Sequence, residues 1–254
     1  MNLIKADLFH LRQDRVFWIL LAVVAAMPVA SCIMMDSLFG GFGVNAESVI
    51  MQGISADVLC AILGIAISSF VGRDYANHTI RNKLCYGEKR YKIMAVNFFL
   101  GFLITAVFLA VSFASALLSA GFFGKAGISA GFWGKYLCQA AILFSFSMLI
   151  TAVVVCTKSE KAGFLFTVIA AVLLSAFSYL LPMLAQISGL ARVVCRCLYM
   201  VVSTMLVNST DGVYTAGSGA VFDHMFLNAL VMSFAYAALS IGTASVVVRK
   251  QSYK

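Results

Sequence analysis

The sequence predicts an all-α membrane protein: six transmembrane helices, an N-terminal interfacial helix, a cytoplasmic helix in one loop and an outer re-entrant segment. Three observations predict it. The chain has 254 residues, of which 62% are apolar and 11% charged, whereas a soluble domain carries about 25% charged residues and under ~50% apolar ones. The apolar residues gather into six long runs. The 18 Lys and Arg residues sort into alternate gaps between those runs. Such a composition excludes a soluble globule, a disordered chain and a collagen-like rod. A span needs roughly 20 apolar residues, so this length accommodates six spans with short connections. It is expected to leave no room for a soluble catalytic domain of ~100 residues or more.

The elements follow in order. Residues 1–15 are mixed. Ile4, Leu8 and Leu11 recur at helical spacing with Lys5, Asp7, Arg12 and Asp14 around them, as in a helix lying along a membrane interface. The spans are expected at 16–35, 54–71, 93–120, 132–157, 164–184 and 225–248. No charge interrupts the middle of any of them. Lipid offers the backbone no partners, so each run must close its own hydrogen bonds as a helix. The period-two alternation of a barrel is absent. Pro28 in the first span and Pro182 in the fifth remove backbone donors and can kink their helices. Ser112, Ser115, Ala116 and Ser119 form a small-residue stripe in the third, a mark of close helix packing. Residues 187–207 are apolar enough for a seventh span but contain Arg192 and Arg196. Each would cost about 2.5–3.5 kcal/mol near the bilayer centre, so this stretch reads as a re-entrant or interfacial helix.

Charge orients the chain. Fourteen Lys and Arg residues fall in the N-terminal segment, the loop after the second span, the loop after the fourth and the tail. Only Lys125, Lys135, Arg192 and Arg196 fall in the other gaps. The positive-inside rule then expects both termini and the 72–92 loop in the cytoplasm. Because the charges sort by membrane side, the net charge of +8 needs no nucleic acid partner.

The 72–92 loop is longer than a connector requires. Ala76, Ile80 and Leu84 share one helical stripe, and Arg73, Asn77 and Arg81 the next. A short amphipathic helix is expected over 73–86, with Gly87 as its stop. The string Arg73-Asp74-Tyr75-Ala76-Asn77-His78-Thr79-Ile80-Arg81-Asn82-Lys83-Leu84, followed by Gly87 and Arg90, resembles the signature after the second span of bacterial ABC-2-type transporter permeases of the antibiotic or peptide export and immunity kind. The usual form is Glu-Tyr-x-x-Gly-Thr-Ile-Arg-Asn-Lys-Leu. Here Asp74 stands for Glu, His78 for Gly, and Lys89 for the Ser that precedes Arg90. The amphipathic opening ahead of Phe17 and Trp18 is similar too.

That resemblance implies a permease that pairs with an identical or homologous permease subunit and binds a separate ATP-binding-cassette ATPase, which holds the ATP and Mg. It implies that the loop is a coupling helix seated in a groove of the ATPase. Asp74, Tyr75, Asn77, Thr79, Ile80, Arg81, Asn82 and Lys83 are then the coupling positions, with Lys158, Glu160 and Lys161 as a second cytoplasmic contact. Re-entrant helices between the fifth and sixth spans are implied as well. The expected activity is export of a peptide antibiotic, hydrophobic compound or lipid-like substrate across a bacterial cell membrane. The chain has no Walker A string, so it is expected to bind no cofactor and to be no enzyme; His10, His78 and His224 are scattered, and no cysteine spacing matches a metal site. A stand-alone channel or ion-coupled carrier is the alternative. It is weakened because no ionisable group falls mid-membrane.

Overall fold

The computed structural model describes residues 2–39, 47, 50–51, 56–77, 79–85, 87, 89–122, 131–185, 188–198, 214–216, 220–222 and 224–250. Nine helices and one small hairpin are found among them: α1 (Asn2–Gln13), α2 (Arg15–Phe39), α3 (Ala56–Ala76), α4 (Thr79–Cys85), α5 (Arg90–Phe122), α6 (Phe132–Thr157), α7 (Glu160–Leu184), α8 (Gly189–Cys197), β1 (Tyr214–Ala216), β2 (Ala220–Phe222) and α9 (Met225–Lys250). Six of the helices, α2, α3, α5, α6, α7 and α9, are long and apolar enough to cross a membrane. The expected all-α architecture with six spans is therefore present. The hairpin, pairing Tyr214 with Phe222 and Ala216 with Ala220 antiparallel, was not foreseen.

Burial divides the spans into two groups. α3, α5 and α6 bury more than half of their central residues; α2, α7 and α9 bury about a fifth or less. The inner three carry the core, including Leu63, Ile67, Ile104, Phe108, Ile142, Phe146 and Ile150. The outer helices attach to it along one face each: α9 on α6, α7 on α3 and α2 on α5. Phe17 stacked on Phe108 at 5.6 Å ties α2 to α5. The rest of each outer helix shows bare apolar side chains such as Val172, Leu173 and Phe234, which hydrocarbon can solvate. The small-residue stripe of α5 does pack inward: Ser112, Ala116 and Ser119 are buried.

The α3–α7 contact is unusually close. Gly64, Ser68 and Gly72 recur every four residues on α3 and face Glu160, Gly163 and Thr167 of α7. A Cβ at Gly64 would collide with the Thr167 methyl. One at Gly163 would collide with Val154 and come within 2.8 Å of Ser68 Oγ. Small residues four apart let two backbones approach where lipid provides no hydrophobic drive for association.

Contacts define the two ends of the bundle. At the basic end, Arg73 meets Asp14, Gly72 meets Glu160 and Arg249 meets Tyr91. At the opposite end, the buried Lys135 pairs with Glu47 at 3.5 Å. There α8 is nine residues long, or ~14 Å at 1.5 Å per residue. That is under half of a ~30 Å hydrocarbon core, so α8 is not a seventh span. The remainder of the 187–207 stretch, apart from Ser188 and Leu198, lies outside the described residues.

Candidate functional site at the α3–α4 elbow

The elbow is built by local hydrogen-bond competition. The last turn of α3 closes when the Asn77 N–H donates to the Arg73 carbonyl at 2.9 Å. The next carbonyl, that of Asp74, accepts instead from the Thr79 hydroxyl at 2.7 Å; the same hydroxyl lies 3.1 Å from Asp74 Oδ1. Here the side-chain bond stands where the chain leaves the helix, offering the Asp74 carbonyl a partner in place of the next backbone N–H. The helix expected over 73–86 is thereby corrected: 73–76 complete α3, and α4 starts at Thr79 and ends at Cys85. Gly87 closes it as expected. Its φ of +83 is the left-handed turn that glycine adopts without a Cβ penalty, and its N–H donates to the Leu84 carbonyl.

Lys83, one turn into α4, joins three elements. Its ammonium lies 2.7 Å from Asp74 Oδ2 at the end of α3 and 2.9 Å from Asp7 Oδ1 on α1. Beside it, Arg73 pairs with Asp14 at 3.2 Å and donates to Ser69 Oγ. α1, through Asp7, and the joint that follows it, through Asp14, are thus each fastened to the elbow region by an ion pair. Burial pushes the Asp7 carboxyl above the usual carboxylate range, and Lys83 only partly opposes this. For Lys83, burial pulls downward, but hydrogen bonding and attraction to Asp74 and Asp7 outweigh it and hold the ammonium above its usual range. Two carboxylates share one cation, and Asp7 is the one held in the drier place, 3% exposed. A cavity of ≈ 570 Å³ opens beside this network, between α1 and the end of α3, with Asp7, His10, Asp14, Phe70, Arg73 and Asn77 in its wall.

The coupling positions named from the sequence separate into three groups. Asp74, Thr79 and Lys83 turn inward and fix the elbow. Ile80 is also inward, at 4% exposed, and lines a small hollow with Tyr75, Leu84, Ile93 and Val248. Asn77 is exposed. Arg81 and Asn82 lie on α4, but their side chains, like residue His78, are outside the described part. The second contact sits next door. Lys158 caps α6 in a left-handed conformation with its N–H on the Val154 carbonyl. Glu160 opens α7, where the helix dipole favours an acid, and a Cβ on Gly72 would lie 2.5 Å from its Cα. Lys161 is exposed. The sequence reading missed Asp7 and Asp14 as partners. Their signal was two acids seven residues apart, hence on one helical face, in an otherwise basic segment.

Among the described residues no group of His, Cys, Asp and Glu converges as a metal site, and the elbow holds no nucleophile–base pair. The elbow connects the short helix α4 to α3 and to α1 through side-chain ion pairs and hydrogen bonds. Six helices long and apolar enough to cross a membrane define a multi-pass membrane protein. The family model for ABC-2 family transporter proteins matches residues 3–178, from α1 through most of α7, and the chain belongs to that family. The resemblance noted in the loop therefore holds over most of the chain. A search of curated proteins finds no match.

Proposed function

We propose that the chain is the permease subunit of an ATP-binding-cassette exporter, driven by ATP hydrolysed on a separate ATPase subunit bound at the basic end. On this reading that end is cytoplasmic, as are both termini, and the protein resides in a bacterial cell membrane as a dimer with a second permease subunit. The exported substrate is a peptide antibiotic, another hydrophobic compound or a lipid-like molecule. The observation that supports the reading best is the elbow. α4 is too short to be a span, is held by Asp74, Thr79 and Lys83, and carries Asn77 and Cys85 exposed beside it. ATP can drive transport only if the two states of the permease differ in affinity for the nucleotide-closed ATPase, and the attachment of α4 to α3 would pass such a difference on to the spans.

Changing Ile80 together with Arg81 would disturb packing as well as docking, so the clean probe is the exposed surface. A membrane preparation carrying Asn77→Cys is treated with a short bifunctional thiol reagent alongside the native Cys85. Crosslinking to a co-purified ATPase, lost when Cys85 and position 77 are both Ser, is the expected outcome. Substrate export that follows an ion gradient in the absence of any ATPase would overturn the proposal.

A further inference from the structure

The opposite end of the bundle holds a second cavity of ≈ 320 Å³, lined by Arg196 of α8 and by His224, Leu227, Asn228 and Val231 at the head of α9. Its wall is mixed. The rim, at the head of α9, carries the guanidinium of Arg196, the imidazole of His224 and the amide of Asn228, with Leu227 level with that amide and Val231 one turn further along. Leu227, Val231 and Phe234 follow on one face of α9, at 65%, 54% and 75% exposed, and lead from that head into the span. The rim is held in place. Asn228 donates its side-chain N–H to the Arg196 carbonyl at 3.3 Å, and the Tyr236 hydroxyl donates to the Cys197 carbonyl at 3.0 Å, so the backbone at the end of α8 is tied to α9. Among the described residues no carboxylate pairs with Arg196. Phosphate suits such a rim, since guanidinium binds it through two parallel N–H donors. The exposed stripe beneath, on a helix that spans the membrane, suits an acyl chain.

We propose that this cavity binds the phosphate headgroup of an anionic membrane phospholipid, with Arg196 and His224 on the phosphate and one acyl chain along Leu227, Val231 and Phe234. The pairing of two helices is what carries this. A site for a soluble anion would be polar throughout, and a plain lipid-facing span carries any interfacial cation on its own end, whereas here Arg196 is brought to the α9 stripe by a second helix hydrogen-bonded to it. Bound there, the lipid joins α8 to α9 and occupies the surface where those two helices meet the bilayer.

The test uses the full chain in detergent, with phosphatidylglycerol as the probe and native mass spectrometry as the readout. The wild-type chain is expected to retain one phosphatidylglycerol in preference to phosphatidylcholine. Arg196→Gln should lower retention about fivefold, taking the guanidinium contact at its usual strength near a lipid surface, and adding His224→Gln should lower it further. Arg196→Lys, which keeps the charge, should retain most of it; that variant separates lost binding from lost folding. Glycerol phosphate should compete poorly, because it lacks the chain. Equal retention of the two lipids, or unchanged retention in Arg196→Gln, overturns the proposal. Effective competition by glycerol phosphate also overturns it, in favour of a small-anion site.

Discussion

Replacing Lys83 by Met should loosen the basic end of the bundle more than any other single change there. The Nζ–Oδ distances of 2.7 and 2.9 Å correspond to about 6 kcal/mol of attraction each at an effective dielectric constant near 20. Most of that repays the desolvation of the three groups. The loss on mutation is therefore set by what remains behind: an Asp7 side chain 5% exposed with no counter-charge. Removing one member of a fully buried pair costs about 3–5 kcal/mol. Lys83 and Asp74 keep 17% and 24% of their side-chain exposure, so about 2–3 kcal/mol is the expected cost here. Asp7→Asn leaves the Lys83–Asp74 pair intact and should cost about 1 kcal/mol or less. The double variant, which removes both buried charges, should be milder than Lys83→Met alone. Hydrogen exchange of the α1 and α4 amides reads this directly: roughly 30- to 150-fold faster exchange for Lys83→Met and a much smaller change for the other two. Additive effects, or equal effects of the two single variants, would refute the shared-cation account.

Two further predictions follow from the geometry. Because burial raises the Asp7 carboxyl above its ordinary value of 3.8, its contribution to stability is full below that value and is lost as pH rises through the folded one. Protection of α1, corrected for intrinsic exchange rates, should accordingly rise as pH falls from neutral towards that range, and Asp7→Asn should flatten the trend; a fall in protection in the wild type contradicts the sign. At the α3–α7 contact, Gly163→Ala should cost about 1–3 kcal/mol through overpacking. Gly121→Ala, with open space around its added methyl, should cost nothing measurable, and equal thermal shifts for the two would argue against the close approach.

The spans were legible because lipid forces one answer on a long apolar run: 132–157 matches α6 to the residue. The ends were harder. A hydropathy reading stops the second span at 71, but α3 continues to Ala76, because the i, i+4 pattern of the loop keeps its backbone bonds helical until Thr79 takes the Asp74 carbonyl. That competition depends on a side-chain rotamer and has no periodicity to read. The site was legible as a string but not as a set of directions. Asp74, Thr79 and Lys83 look like surface polar residues until α1 is brought beside them. The acid that matters most, Asp7, is 76 residues away in sequence from its lysine. The glycines and Ser68 at the α3–α7 contact carried no signal on their own, since glycine in an apolar run marks either a close neighbour or nothing.

The spacing of small residues along α3 has a mechanical corollary. Two helices that meet at Gly64, Ser68 and Gly72 have only small side chains such as Ser68 and Thr167 between them, so they shear or separate only at high cost and otherwise travel as one plank. If the short helix beyond Asn77 takes up a load, as proposed above, that load is borne by a pair of helices, one of them, α7, with most of its apolar surface uncovered by the rest of the bundle.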